Sequence, residues 1–183
     1  MKAASLAGLC LLLSGLGANV ARAEITLAGG CAVLKLSEDA VPRSLVLTAD
    51  NTECLDVTKP EPFAEVQLAD NTWHAANHAE KSGDLLKLGF RDTDTTVSLA
   101  AESRPEWIAL RVAGFGGVRP KAVRFVMLNA AFTESVGKRL NIGWNPAHAL
   151  CVMATSALTD TAVLGKTQVS LAARSACRSA CSS

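Results

Sequence analysis

His74 and His78 stand four residues apart, with Glu80 two positions further on. On an α-helix that spacing turns both imidazoles to one face, where they could share a metal ion with the carboxylate as a third ligand. In a strand or a loop the geometry disappears, and the same residues are solvent-exposed histidines. The sequence secures neither the helix nor the third ligand. His74 and His78 therefore stand as metal candidates, and no metal or other cofactor is assigned.

The remaining chemistry is sparse. Asp92 and Asp94 flank Thr93, with Asp84 upstream, but the Asp-x-Asp-x-Asp-Gly pattern of a calcium loop is missing and a hairpin turn is the simpler reading. Glycoside hydrolysis needs two carboxyl groups at a fixed separation across a sugar. Glu65, Asp84, Glu102, Glu106 and Glu134 are available, yet none sits in an identifiably apolar or paired setting. No Gly-x-Ser-x-Gly elbow occurs, and His148 three residues before Cys151 is a spacing that chance produces. Gly114-Phe115-Gly116-Gly117 lacks the Lys-Ser/Thr ending of a phosphate cradle and reads as a turn. No residue is assigned a catalytic role.

Three tryptophans remain as binding candidates. Trp73, Trp107 and Trp144 could offer flat faces for stacking on sugar rings, the alternative being that they belong to the core. Trp107 alternates away from Ile108, Leu110 and Val112, which leaves exposure or a second sheet layer open. The chain has no tyrosine, a favoured contact residue of recognition surfaces.

The elements that must carry these residues read as strands. Ala32, Leu34 and Leu36 alternate with Val33, Lys35 and Ser37, and the same period of two recurs over Ala64–Leu68, Leu86–Phe90, Thr96–Ala101 and Ile108–Val112. Ser44–Thr48 is a short apolar run. Val123–Leu128 and Leu150–Ala154 are more continuously apolar, as central strands are. Turn-forming clusters such as Asp50-Asn51, Lys59-Pro60-Glu61-Pro62 and Arg91-Asp92-Thr93-Asp94 separate the runs. Eight or more short strands without crossover helices predict an all-β chain, an antiparallel β-sandwich or jelly roll. At most two short helices are expected, over Thr72–Lys81 with Asn71 as cap, and over Thr167–Ala180.

The 183-residue chain opens with Lys2, an apolar run from Leu6 to Leu16, and Ala21-Arg22-Ala23. This order matches a secretory leader, too short to span a bilayer, cleaved before Glu24. The expected organisation is a signal peptide over 1–23, a β-sandwich domain over 24–173 and a low-complexity tail over 174–183. In that tail Arg174-Ser175-Ala176-Cys177 is repeated as Arg178-Ser179-Ala180-Cys181, as in a disordered terminus or a truncated gene. Of the 18 basic residues, Lys2 and Arg22 leave with the leader, so 16 face 17 acidic ones. Such a balance offers no field for nucleic acid or an anionic membrane. The expected location is periplasmic or extracellular. In that oxidising setting Cys31 and Cys54 could form a disulfide, with Cys151 as a buried apolar thiol.

Ala32–Asp39, Arg43–Leu47 and Glu53-Cys54-Leu55, followed by the proline-containing loop and Pro62-Phe63-Ala64-Glu65-Val66, resemble the opening of the N-terminal sandwich modules of bacterial carbohydrate-active enzymes. Those modules are similar in fold to galactose mutarotase domains. Gly83–Leu88 and Pro105–Leu110 look like their repeated strand pairs, and the likeness, one of texture, runs over residues 31 to 173. It implies an accessory, non-catalytic role beside a catalytic domain that this chain does not contain, with a glycan as partner. The alternatives are a structural or adhesive surface module that binds protein through a strand edge, and a small secreted glycoside hydrolase.

Overall fold

The computed structural model describes residues 24–132, 135–137, 141–155, 159–164 and 170–176. The signal-peptide reading of residues 1–23 and the end of the repeated tail, with Cys177 and Cys181, lie outside them. Every described element is a strand, and every pairing is antiparallel.

Three strands form the first sheet: β1 (Glu24–Ala28), β2 (Ala32–Ser37) and β3 (Pro42–Leu47), in that order. A short meander contains β10 (Ser135–Gly137), β11 (Ile142–Trp144) and β12 (Ala149–Cys151). The large sheet is built from β4 (Ala64–Gln67), β5 (Trp73–Ser82), β6 (Leu85–Phe90), β7 (Thr96–Ser103), β8 (Ile108–Gly116), β9 (Ala122–Asn129), β13 (Thr159–Leu164) and β14 (Ser170–Ala176). Its order is β13-β14-β9-β4-β5-β6-β7-β8, and the sheets curl into a sandwich-like half-barrel.

Alternation explains the layering. Leu34 and Leu36 of β2 are buried, as are Leu86 and Leu88 of β6 and Val97 and Leu99 of β7, and the last four meet as the cross-strand pairs Leu86–Leu99 and Leu88–Val97. They belong to one contiguous core shared by the first and the large sheet. Each such side chain contributes roughly 1.5–3 kcal/mol on burial. The half-exposed Lys35–Glu24 ion pair is worth about 0–1 kcal/mol, so apolar contact holds the layers together. Val123–Leu128 lies within β9, which is central between β14 and β4 as its apolar run implies.

Three expectations are corrected. Thr72–Lys81, read as a helix, falls almost wholly on the strand β5 (Trp73–Ser82). An extra residue between the pairs Ala76–Phe90 and His78–Gly89 makes a bulge at Asn77, so the buried alanines, Ala76 and Ala79, fall three apart and imitate a helical period. Residues 170–176, within the second proposed helix, form β14, which pairs with β9 and β13 and takes up the first three residues of the repeated tail. Leu150–Ala154 is not a central strand: β12 is three residues long and lies at the edge of the meander.

Hairpin alternation gives the large sheet two rims. The turns after β4 and β6 lie at one rim, and those after β5 and β7 at the other. Among the described residues β8 is an edge strand, and Ala113 is bulged out between the pairs Ser98–Gly114 and Leu99–Val112.

Candidate functional site

The turn between β7 and β8 ends on Trp107, whose side chain is 55% exposed. Arg104 N–H donates to Trp107 O at 3.0 Å and closes the turn from within. The β1–β2 turn supports it from below: Gly30 N–H donates to Arg104 O at 2.8 Å, and the Cys31 thiol donates to Glu106 O at 2.8 Å. A Cβ on Gly30 would collide with Pro105 O, so glycine is what lets the two turns touch. Glu102, Arg104 and Glu106, in the same stretch of chain, are exposed, and Glu102 is paired with Arg104. The arrangement is an open aromatic face on a loop tied by two hydrogen bonds to the β1–β2 turn.

Trp73 lies at the opposite rim, at the start of β5. The Arg124 guanidinium sits 4.3 Å from its ring centroid, and Arg124 Nη1 lies 2.6 Å from Glu65 Oε2. One face of that indole is thus covered by a cation held in place by a carboxylate. Trp144, 38% exposed, closes β11 on the meander. Trp73 and Trp107 therefore belong to different ends of the sheet and cannot stack on one sugar ring.

The metal candidates do not converge. On β5, four residues span about 13 Å at roughly 3.3 Å per residue, and the bulge at Asn77 falls between His74 and His78. Both ring nitrogens of His74 are engaged, Nε2 with Thr72 Oγ1 at 2.8 Å and Nδ1 with Arg91 O at 3.1 Å. His78 instead borders an open groove of about 690 Å³ between β1 and β5, with Glu24, Glu38 and Glu80. Among the described residues, no three His, Cys, Asp or Glu side chains are grouped to hold a metal ion.

The Cys31–Cys54 disulfide is not formed. Cys31 O accepts from Thr48 N–H and Cys54 N–H donates to Leu45 O, so they flank β3 at positions three residues apart. Their thiols point to different carbonyls, Glu106 O and Thr52 O. Cys54 is buried, which pushes its thiol up to about 11 and keeps it protonated near neutrality. Cys151, expected to be buried, is exposed.

One cluster went unread in the sequence. His148 Nε2 lies 2.6 Å from Asp50 Oδ2 and 3.4 Å from Thr52 Oγ1, and its ring stacks on Phe132 with centroids 5.8 Å apart. Carboxylate and hydroxyl meet the same imidazole nitrogen, whereas a relay needs them on opposite nitrogens. This is a clasp between the end of β3 and the meander. Its sequence signal is Asp-x-Thr, which recurs as Asp50-x-Thr52, Asp56-x-Thr58 and Asp70-x-Thr72; each Asp Oδ1 accepts the Thr N–H two residues on.

Comparison with known proteins finds no family model, no curated protein and no solved structure that matches this chain.

Proposed function

We propose that the protein is an exported, non-catalytic β-sandwich module that binds carbohydrate at the rim carrying Trp107, as an accessory part of a polysaccharide-acting protein. The observation that carries the reading is the Trp107 indole: open to solvent, on a turn fixed by Gly30 and Cys31. A preformed flat apolar face loses little conformational freedom when a sugar ring lies on it. Against turnover stand Glu65, committed to Arg124, and Cys54, buried and protonated.

Glycan-array binding followed by titration calorimetry tests this. Trp107→Ala is expected to weaken binding at least tenfold, about 1.4 kcal/mol, while Trp144→Ala leaves it unchanged. Retention of no glycan by the wild type, or equal binding by Trp107→Ala, refutes the reading.

A second reading, an adhesive module that pairs a partner's strand, is favoured by one observation: the outer edge of β8 has no neighbouring strand among the described residues. The bulge at Ala113 interrupts that edge, which ranks this reading below the first.

A further inference from the structure

β1 leaves one side of its backbone open. It is the end strand of the first sheet, and its register with β2 is unbroken from Glu24 to Ala28. Just past its end, Gly29 N–H donates to Ala32 O at 2.8 Å. Antiparallel residues bond a given neighbour at every second position. Ile25 and Leu27 are therefore in phase with Gly29 and bond β2, whereas Glu24, Thr26 and Ala28 turn N–H and C=O the other way. No backbone group of the described residues meets them there. Native sheets blunt such an edge with a proline, a lysine or a bulge, and β1, Glu-Ile-Thr-Leu-Ala, has none of these.

A second open edge borders the same space. β5 pairs with β4 only over Trp73–Ala75, so further along, its side away from β6 has no strand among the described residues. Ala79 N–H points to that side, where it donates to Glu38 O at 2.7 Å, and Lys81, two residues on, is in phase with it. Thr26 and Lys81 both line the open groove of about 690 Å³ between β1 and β5. Main-chain groups that a further strand could engage thus border the groove from both elements.

Its side chains select the occupant. Glu24, Glu38 and Glu80 line the groove against one lysine, Lys81. Glu24 is shared with Lys35 at 2.9 Å, while Glu38 and Glu80 are exposed and have no ion-pair partner among the described residues. A second copy of this chain, pairing β1 with β1, would bring two sets of glutamates together, and like charges oppose such pairing. A basic strand gains where a second copy loses.

We propose that the β1–β5 groove docks an extended, basic segment of a partner protein, which adds to the outer edge of β1 and sets lysine or arginine side chains against Glu38 and Glu80. Trp107 does not line the groove, so this site stands whether or not the chain binds carbohydrate.

The test titrates the intact protein with a peptide of alternating lysine and valine, about six residues long as strands usually are, and follows amide hydrogen exchange by NMR. The peptide is expected to bind and to slow exchange at Thr26 and Ala28, and the matching glutamate–valine peptide to do neither. Of two further peptides, N-methylated at every lysine or at every valine, one loses the donors that face β1 and should lose binding. Thr26→Pro deletes an outward N–H that no ladder bond uses, at an edge position where proline is tolerated; it should bind at least tenfold more weakly with an unchanged circular dichroism spectrum. Glu38→Gln with Glu80→Gln should weaken binding several-fold, while Glu102→Gln with Asp92→Asn, an equal loss of charge elsewhere, leaves it as in the wild type. Absence of binding by the basic peptide overturns the proposal. So does equal binding of the acidic peptide, undiminished binding of both N-methylated peptides or by the Glu38→Gln, Glu80→Gln protein, or concentration-dependent protection of Thr26 without peptide, which assigns the edge to a second copy.

Discussion

The Arg124 guanidinium lies 4.3 Å over the Trp73 ring and 2.6 Å from the Glu65 carboxylate, tying three neighbouring strands, β9, β5 and β4, across the face opposite the core. Both charged side chains are largely shielded from water, so the contact is stronger than an exposed pair. Arg124→Ala is expected to lower unfolding stability by about 1–2 kcal/mol. A double-mutant cycle with Trp73→Phe by urea denaturation should return a coupling near 0.5 kcal/mol; a coupling of zero shows that ring and guanidinium are merely adjacent.

Acid should unfold the protein through its Asp-x-Thr turns. Asp50 is held below the ordinary carboxylate range by His148 and then Thr52, and Asp56 and Asp70 by the hydroxyls and N–H groups of Thr58 and Thr72. Because these values are depressed on folding, their contribution is complete above about pH 3.9 and is lost as pH falls through the lower folded values. Tm measured from pH 7 to pH 2 should be nearly flat to about pH 4 and then fall. Replacing all three by Asn should flatten the acid limb; an unaltered limb assigns acid sensitivity to other carboxylates.

Thiol reactivity should separate Cys31 from Cys54. The native protein at pH 8 is expected to alkylate Cys31 and to spare Cys54, whose buried thiol titrates near 11, until denaturant is added. Reductant should leave the mass and Tm of the folded protein unchanged with respect to this pair. A Cys31–Cys54 peptide in a non-reducing digest of folded protein contradicts the structure.

Gly117, which follows β8, has φ of +67° and would bring a Cβ into collision with Asp94 O. Gly117→Ala therefore combines a disfavoured backbone angle with a steric clash, and a loss of about 2–4 kcal/mol is expected. Gly83, whose φ is +58° with open space around it, is the internal comparison: Gly83→Ala should cost about 1 kcal/mol. Equal losses at the two sites, measured by urea denaturation, rule out the clash.

Much of the sheet was legible because single-face burial imposes a period of two, and β6 and β7 follow it without interruption. β5 was not, because a bulge hides in no residue type: Asn77 shifts the buried alanines to helical spacing, and only pairing with Phe90 and Leu88 of β6 reveals the strand. Leu150–Ala154 misled for the opposite reason, since apolar composition marks centrality only if neighbouring strands exist on both sides. At the site, the phase of Trp107 relative to Ile108 and Leu110 left exposure and a second sheet layer both open, and its place on the turn before β8 is what exposes it. That Trp73 would be capped by Arg124 depended on a pairing of positions 51 apart in the chain, which no local pattern records. The Asp50–His148 clasp joins positions 98 apart and was equally invisible.

The displaced residue on β8 sets a limit on growth. An open ladder invites another copy of the same chain to continue it, and copies that continue one another end as fibres. Ala113 takes the step out of phase halfway along, so a second molecule finds only short stretches it can match. Deleting that one alanine would restore a continuous register along β8 and leave a longer uninterrupted edge for a second molecule to match.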